Sequence, residues 1–223
     1  MPNAKTEDYL KNIYLLQGMT NKVSTSLLAE KMLISSPSVT EMIKKLAEQG
    51  FVSHERYSSI ELTEAGRRYA LKMVRKHRLW EMFLFQILHF SWYEIHTEAE
   101  ELEHSMSDRM ESKIDEILGF PQIDPHGHPI PSRDGTLPKL KTRTPLAMLN
   151  EKQVGKVTSV NDFDDAFLSY LERMDIRLDR AIEVREKRTF DGSMLIAIEN
   201  REWNVSNILA ENIFVEIIGE PSN

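Results

Sequence analysis

Apolar positions in the first part of the chain recur at helical spacing. From Glu7 to Gln17 they fall at Tyr9, Leu10, Ile13, Tyr14 and Leu16, three and four residues apart, which gives a helix one apolar face. Ser24 is placed to cap a second helix through Met32, with Leu27, Leu28 and Met32 turned inward. A third helix is expected to start around Pro37, whose missing N–H costs nothing in a first turn, with Ser36 as its cap. It runs through Val39, Met42, Ile43 and Leu46 and stops at Gly50. From Phe51 to Thr63 two short apolar runs flank a polar turn, the pattern of a β-hairpin or wing. Thr63 then caps a long helix from Glu64 to Ile87, and another is expected from Trp92 to Leu118.

Pro, Gly and His gather between Gly119 and Pro145, which reads as a linker with local structure. Beyond Leu146 the period shortens. Val154 to Val160, Ala181 to Lys187, Ser193 to Ile198, Glu202 to Val205 and Ile213 to Ile217 read as strands, and Asp162 to Arg173 as one helix. Short strands with few helices point to a small β-barrel.

Composition narrows the setting. Hydrophobic residues are 41% of 223, enough for a real core. There is no cysteine, which excludes a disulfide framework and a thiolate zinc site. No run approaches the roughly 20 apolar residues of a membrane span, and no basic-then-apolar leader opens the chain, so a cytoplasmic protein is expected. The net charge of −7 hides an uneven distribution. Met1 to Arg78 holds thirteen Lys or Arg against eight Asp or Glu, net +5, whereas Ser91 to Asp124 holds two against ten, net −8. A basic head suits phosphate and an acidic stretch suits cations.

Two short helices, a tight turn and a hairpin make a winged helix-turn-helix, whose second helix enters the major groove. The candidates for reading bases are Ser35, Ser36, Pro37, Ser38, Thr40, Glu41 and Lys44. Lys44, Lys45, Arg56, Arg67, Arg68 and Lys72 are candidates for phosphate contact. The plainer alternative is a helical hairpin that only packs, its serines serving as caps.

The acidic stretch carries His96-x3-Glu100-x2-Glu103-His104, and the preceding helix carries His77-x3-Glu81. Residues three and four apart share a helical face, so each set points imidazole and carboxylate toward one locus. Asp8 lies on the first helix. Oxygen and nitrogen donors without sulfur suit Mn²⁺, Fe²⁺ or Zn²⁺. The plainer alternative is a solvated acidic face.

These residues resemble the diphtheria toxin repressor family of metal-dependent regulators, in its manganese-responsive branch. The resemblance rests on Thr6-Glu7-Asp8-Tyr9-Leu10-Lys11-Asn12-Ile13-Tyr14, on Ser36-Pro37-Ser38-Val39-Thr40-Glu41-Met42-Ile43-Lys44-Lys45-Leu46, and on Leu62-Thr63-x-Ala65-Gly66. Arg75-Lys76-His77-Arg78-Leu79, Ile95-His96 through Met106-Ser107, Gly119-Phe120-Pro121 and Pro125-His126-Gly127 extend it over most of residues 4–132. It implies a mainly α fold with β: a winged helix-turn-helix over 1–73, a helical metal-binding and dimerisation domain with linker over 74–140, and an SH3-like barrel over 141–223. It implies a primary metal site from Asp8, Glu100, Glu103 and His104, joined by His77 in some members. Iron-responsive members have Met and Cys where this chain has Asp8 and Glu100, so hard oxygen here favours Mn²⁺. A second site is implied either by Glu81, Asp124, His126 and Asp162 or by His77, Glu81 and His96. Lys11 stands where one subgroup has an acidic residue that builds a two-metal cluster, so that cluster is not expected.

The function so implied is a transcriptional repressor, not an enzyme, that senses Mn²⁺, or alternatively Fe²⁺, and controls metal-uptake genes. Zn²⁺, Co²⁺ and Cd²⁺ are expected substitutes in vitro. The implied partner is an inverted repeat in double-stranded DNA, bound by a homodimer; the apolar stretch Leu79 to Leu88 is a candidate for its interface, the plainer alternative being ordinary core. The rival from another class is a carboxylate-bridged dinuclear metallohydrolase, which leaves the DNA-binding head unexplained.

Overall fold

The computed structural model describes residues 3–53, 59–139, 143–162 and 164–219. They form two compact units. The first holds the chain up to Arg78 with Glu100–Lys113 and Pro131–Leu137; the second holds Leu79–Ala99, Ile114–Ile130 and the chain from Pro138 onward.

The first unit is built on α1 (Ala4–Met19), capped by the Asn3 side chain on the Thr6 N–H. Its face of Tyr9, Leu10, Ile13 and Leu16 is buried with Leu28, Val39, Ile43 and Leu46 in one core. Ser24 caps α2 (Thr25–Lys31) as its position in the sequence suggests. The next helix, α3 (Ser36–Glu48), is capped by Ser35 and not by the expected Ser36. Ser35 keeps an extended backbone, its carbonyl accepts the Val39 N–H, and its side chain accepts the Ser38 N–H. The turn before it passes through Leu33 at φ 54°, a left-handed conformation that a side chain unbranched at Cβ tolerates better than a β-branched one.

Strands β1 (Val52–Ser53) and β2 (Glu61–Leu62) pair antiparallel as the base of a wing. The turn between them, with Arg56, lies outside the described residues. Helix α4 (Glu64–Gln86) follows. The Thr63 hydroxyl accepts the Gly66 N–H and donates to the Gly50 carbonyl at 2.7 Å. A Cβ on Gly66 would stand 2.0 Å from the Phe51 carbonyl oxygen. Helix and strand therefore touch backbone to backbone, and only glycine fits there.

The single helix expected from Trp92 to Leu118 is divided in the structure. It becomes α5 (Ile95–Leu102), a 3-10 turn at Glu103–Ser105, and α6 (Asp108–Ile117). Met106 is extended, and the Ser107 hydroxyl accepts the Met110 N–H, so a new cap restarts the helix. Within the first unit Arg75 anchors this region. Its buried guanidinium donates to Glu111 Oε1 and to the Pro131 carbonyl, each at 2.8 Å.

The second unit centres on an antiparallel sheet of order β3-β8-β4-β5-β6-β7. The strands are β3 (Thr144–Pro145), β4 (Val154–Val160), β5 (Ala181–Lys187), β6 (Met194–Ile198), β7 (Arg201–Val205) and β8 (Ile213–Gly219). Val157, Ile182, Val184, Ile196 and Val215 are buried, with Leu168 and Leu171 of α7 (Asp165–Arg173). That helix starts later than expected because Asp164 caps it, which leaves Asp162 on the preceding loop. Helix α8 (Asn207–Glu211) precedes β8. In the apolar stretch after Arg78, Leu79, Met82 and Leu84 are buried within the unit, while Phe85, Ile87 and Leu88 are exposed. Among the described residues no helix is long and apolar enough to cross a membrane.

Gly66→Ala forces the α4 start away from Phe51 and should destabilise the protein by about 1–3 kcal/mol. At Gly18 in α1 a Cβ would meet nothing within 4 Å, and φ is not positive, so Gly18→Ala should be neutral or stabilising by up to about 1 kcal/mol. Urea unfolding of the two variants beside wild type measures both.

Candidate metal centre

Among the described residues, metal-ligand side chains gather in a cluster within each unit. The first joins α1 to the 3-10 turn. Because Tyr9, Leu10 and Ile13 fix which face of α1 is inward, Asp8 and Lys11 are carried to the side facing Glu103 and His104. Asp8, Glu103 and His104 bring donor atoms within 4.8 Å of one another. His104 Nδ1 lies 2.9 Å from Glu7 Oε2, and His104 Nε2 lies 2.8 Å from Asp8 Oδ1. If the Nδ1–H is given to Glu7, Nε2 presents a lone pair to a carboxylate oxygen. Asp8 Oδ1 is indeed buried with no hydrogen-bond partner. Two acceptors facing one another at that distance suit a cation between them, and Glu7 fixes the ring as a carboxylate behind a ligating histidine does.

Glu103 is fully buried. Its Oε2 accepts from His77 Nδ1 at 2.6 Å and its Oε1 from Lys11 Nζ at 2.5 Å. Lys11 also donates to Glu100 Oε1 at 2.7 Å, and His77 Nδ1 is 3.8 Å from that oxygen. Burial raises the Asp8 pKa, and Glu103 and Glu100 add to this; Lys11, and His104 when its ring is charged, pull the other way. Burial works to lower the Lys11 pKa, but Glu103 and Glu100 outweigh it and hold the ammonium charged. The cluster is therefore rich in negative charge and short of positive charge.

The second cluster is held by the loop Asp124–His128. Asp124 Oδ1 accepts the backbone N–H groups of His126 and His128 at 2.9 and 2.8 Å. Gly127 sits at φ 86°, and a Cβ there would meet the Thr158 carbonyl oxygen at 2.2 Å. The Val160 N–H bonds the His126 carbonyl, so the loop is fastened to β4. His126 is fully buried, with Nε2 3.2 Å from the Trp92 carbonyl. A carbonyl only accepts, so that nitrogen carries the proton and Nδ1 is left as a lone pair. Nδ1 is buried without a hydrogen-bond partner, 3.9 Å from Glu81 Oε1. Glu81, Asp124 and His126 form one donor group, and Glu81, His96 and Asp162 form another. His96 Nδ1 lies 3.3 Å from Glu81 Oε1. A buried, unpartnered imidazole lone pair beside two carboxylates suits a divalent ion.

His128 lies beside the same carboxylates, with Nδ1 3.4 Å from Asp124 Oδ2 and 3.3 Å from Asp162 Oδ2. Burial disfavours its charge, but the two aspartates prevail and push its pKa up to about 10. Burial likewise raises Asp162, yet His128 outweighs it and holds that carboxyl below the usual range. A protonated His128 is thus the counter-ion of this cluster.

The recognition face is also laid out. Ser35, Ser36, Pro37, Ser38, Thr40, Glu41, Lys44 and Lys45 are all exposed, while Val39, Ile43 and Leu46 of the same helix face the core. Glu41 pairs with Lys45 at 2.8 Å, and the Thr40 hydroxyl donates to the Ser36 carbonyl.

The structure thus brings Asp8, Glu103 and His104 together with Glu100 and His77 around Lys11. It gathers Glu81, His96, Asp124, His126 and Asp162 in the other unit. Glu7 and His128 are absent from the candidates read in the sequence. Glu7 meets a partner 97 residues away, beyond any spacing rule. His128 had a visible signal, a second histidine two residues after His126 in a Gly-bearing turn.

Comparison with known proteins divides the chain into three segments. Residues 1–60 match the iron dependent repressor N-terminal DNA binding domain, residues 63–132 the iron dependent repressor metal binding and dimerisation domain, and residues 144–217 the FeoA domain, an SH3-like module. A manganese-dependent transcriptional repressor in complex with manganese is 41% identical, with 96% of this chain and 100% of that chain covered and a TM-score of 0.87. The iron-dependent repressor IdeR of Mycobacterium tuberculosis is 35% identical over 126 residues, 56% of this chain and 55% of IdeR. The chain thus matches about half the length of such curated relatives. The diphtheria toxin repressor of Corynebacterium diphtheriae is 27% identical over 223 residues, 95% of this chain and 96% of the relative. These are DNA-binding repressors, which sets the metallohydrolase reading aside. The chain belongs to the diphtheria toxin repressor family of metal-dependent transcriptional repressors.

Proposed function

We propose that this protein is a Mn²⁺-responsive transcriptional repressor that acts in the cytoplasm as a homodimer on an inverted-repeat operator and controls metal-uptake genes. In this reading residues 1–73 bind DNA, 74–140 hold metal and the dimer, and 141–223 form the SH3-like module. The observation that carries the reading is the first cluster, where Asp8 Oδ1 is buried without a hydrogen-bond partner opposite His104 Nε2. Its donors are oxygen and imidazole nitrogen with no sulfur, a set that favours Mn²⁺ over softer ions. The manganese-dependent relative at 41% identity supports the same choice.

Asp8, Glu103 and His104, with Glu100 and His77, would hold the first ion. Glu81, Asp124, His126 and Asp162, with His96, would hold the second. A bound divalent ion supplies positive charge that ties these donors together and needs no contact with DNA. The chain's own residues do the rest. Asp8 shares α1 with Tyr9, Leu10 and Ile13, which pack in the same core as Val39, Ile43 and Leu46 of α3. Any restraint on Asp8 therefore acts on the helix that supports the recognition helix. Metal promotes DNA binding to the extent that it favours the DNA-competent arrangement of that core over others. On α3 the exposed hydroxyls, Pro37 and Glu41 face the groove, and Lys44 and Lys45 meet phosphate.

Mn²⁺ and, anaerobically, Fe²⁺ are to be titrated against the protein and a labelled fragment of its own promoter. Wild type should bind in a metal-dependent way with the lower midpoint for Mn²⁺, and Glu103→Ala should lose at least tenfold in apparent affinity. Binding that ignores metal would sink the sensing mechanism, and a lower midpoint for Fe²⁺ would reassign the ion. Lys44→Ala should weaken binding to all DNA sequences alike and reduce the salt dependence by about one ion. An effect confined to one sequence would make Lys44 a base reader instead.

A further inference from the structure

We propose that Lys11 is a resident cation that an incoming metal ion must displace from Glu103, and that it thereby sets the metal concentration at which the first centre fills. This rests on the proposed assignment of that centre. The side chain of Lys11 is 3% exposed, and its ammonium sits on Glu103 Oε1 and Glu100 Oε1 at 2.5 and 2.7 Å. Both carboxylates belong to the expected ligand set.

The division of Glu103 decides the matter. One oxygen, Oε2, is taken by His77 at 2.6 Å. The other, Oε1, is the one nearer the rest of the donor group, 3.6 Å from His104 Nε2. An ion shared by Asp8, Glu103 and His104 must draw on Oε1, and Lys11 already holds that oxygen. Two cations then contend for one lone-pair region in a buried site, where their repulsion is poorly screened. An ion held by Oε1 would draw on the electron density that holds the ammonium and repel its charge, so the Lys11 contact to that oxygen weakens as the ion binds.

Without metal, Lys11 does what the ion would do. Asp8, Glu100 and Glu103 bring three negative charges together, and the ammonium offsets one of them while tying α1 to Glu100 and Glu103. A buried carboxylate such as Glu103 is costly without a partner, so the metal-free fold depends on this contact. The route of displacement is also present. Glu100 is 40% exposed, and the lysine stem is flexible, so the ammonium can follow Glu100 toward water as it leaves Glu103. Lys11 keeps its charge throughout; only its partner changes.

The opposite assignment, a lysine that permanently positions Glu103 for the metal, predicts the opposite sign. Lys11→Met keeps the length and removes the charge. Lys11→Arg keeps the charge and grips carboxylates through a planar fork. Both are made in the full chain carrying His126→Ala, so that Mn²⁺ titration by calorimetry reads the first centre. Thermal melting is recorded with and without Mn²⁺. Lys11→Met should bind Mn²⁺ at least tenfold more tightly, equivalent to about 1.4 kcal/mol, and melt lower when metal-free, with the gap closed by saturating Mn²⁺. Lys11→Arg should bind Mn²⁺ more weakly than the parent. Unchanged or weaker binding in Lys11→Met overturns the proposal. Should that variant fail to fold without metal, tighter or equal binding in Lys11→Arg overturns it as well. If the parent and the parent with Glu103→Ala bind Mn²⁺ alike, the assignment of the centre has failed, and the role of Lys11 falls with it.

Discussion

A single fully buried carboxylate, that of Glu103, governs the first unit. It cannot be left bare, since an ionised group without partners in the interior is strongly destabilising. Its two oxygens are met by His77 from α4 and Lys11 from α1. That requirement joins three segments distant in sequence and places His104, the next residue, against Asp8 and Glu7. The helix-turn-helix core then rests on the same α1. Structure and proposed chemistry share one set of contacts here: the groups that make the unit stable are the groups proposed to hold a cation.

The second cluster solves the same problem differently. Its histidine and aspartate come from a loop and not from helices, and a loop needs to be held. Asp124 receives two backbone N–H groups, the Gly127 backbone lies against β4, and the His126 carbonyl takes a hydrogen bond from Val160. Trp92 supplies a carbonyl to His126 Nε2 and an indole N–H to the Pro125 carbonyl. These bonds fix the tautomer of His126 and aim its free lone pair. Each cluster also carries an internal cation, Lys11 in one and His128 in the other, set against its carboxylates.

Much of this was legible in the sequence. Apolar spacing gave α1, α2 and α3 to within a few residues, and alternation gave every strand of the sheet but the two-residue β3, which falls in the stretch read as a linker, because both periods follow from backbone geometry. The exposed face of α3 follows from the same count. What escaped is what depends on contacts between distant residues. Ser35 and Ser36 are equally good caps by type, and only the backbone at Ser35 decides between them. The run from Trp92 to Leu118 has an unbroken helical period, so the 3-10 turn at Glu103–Ser105 left no trace in the spacing. Glu7 looked like an ordinary acidic residue in a first turn, and its bond to His104 spans most of the first half of the chain.

The separation between Lys11 and Glu103, 92 residues, has a consequence for how the molecule comes into being. Chains are made from the N-terminus and fold by parts as they emerge, at about 5–20 residues per second. The segment from α1 through β2 contains the helix-turn-helix and its core, and it is synthesised well before Glu103 and His104 exist. Asp8 and Lys11 therefore spend the first seconds of the protein's life without their partners. The surface that faces DNA can form during that interval, but the centre that would govern it cannot. On the proposed assignment, a newly made chain has its head before it has its metal centre.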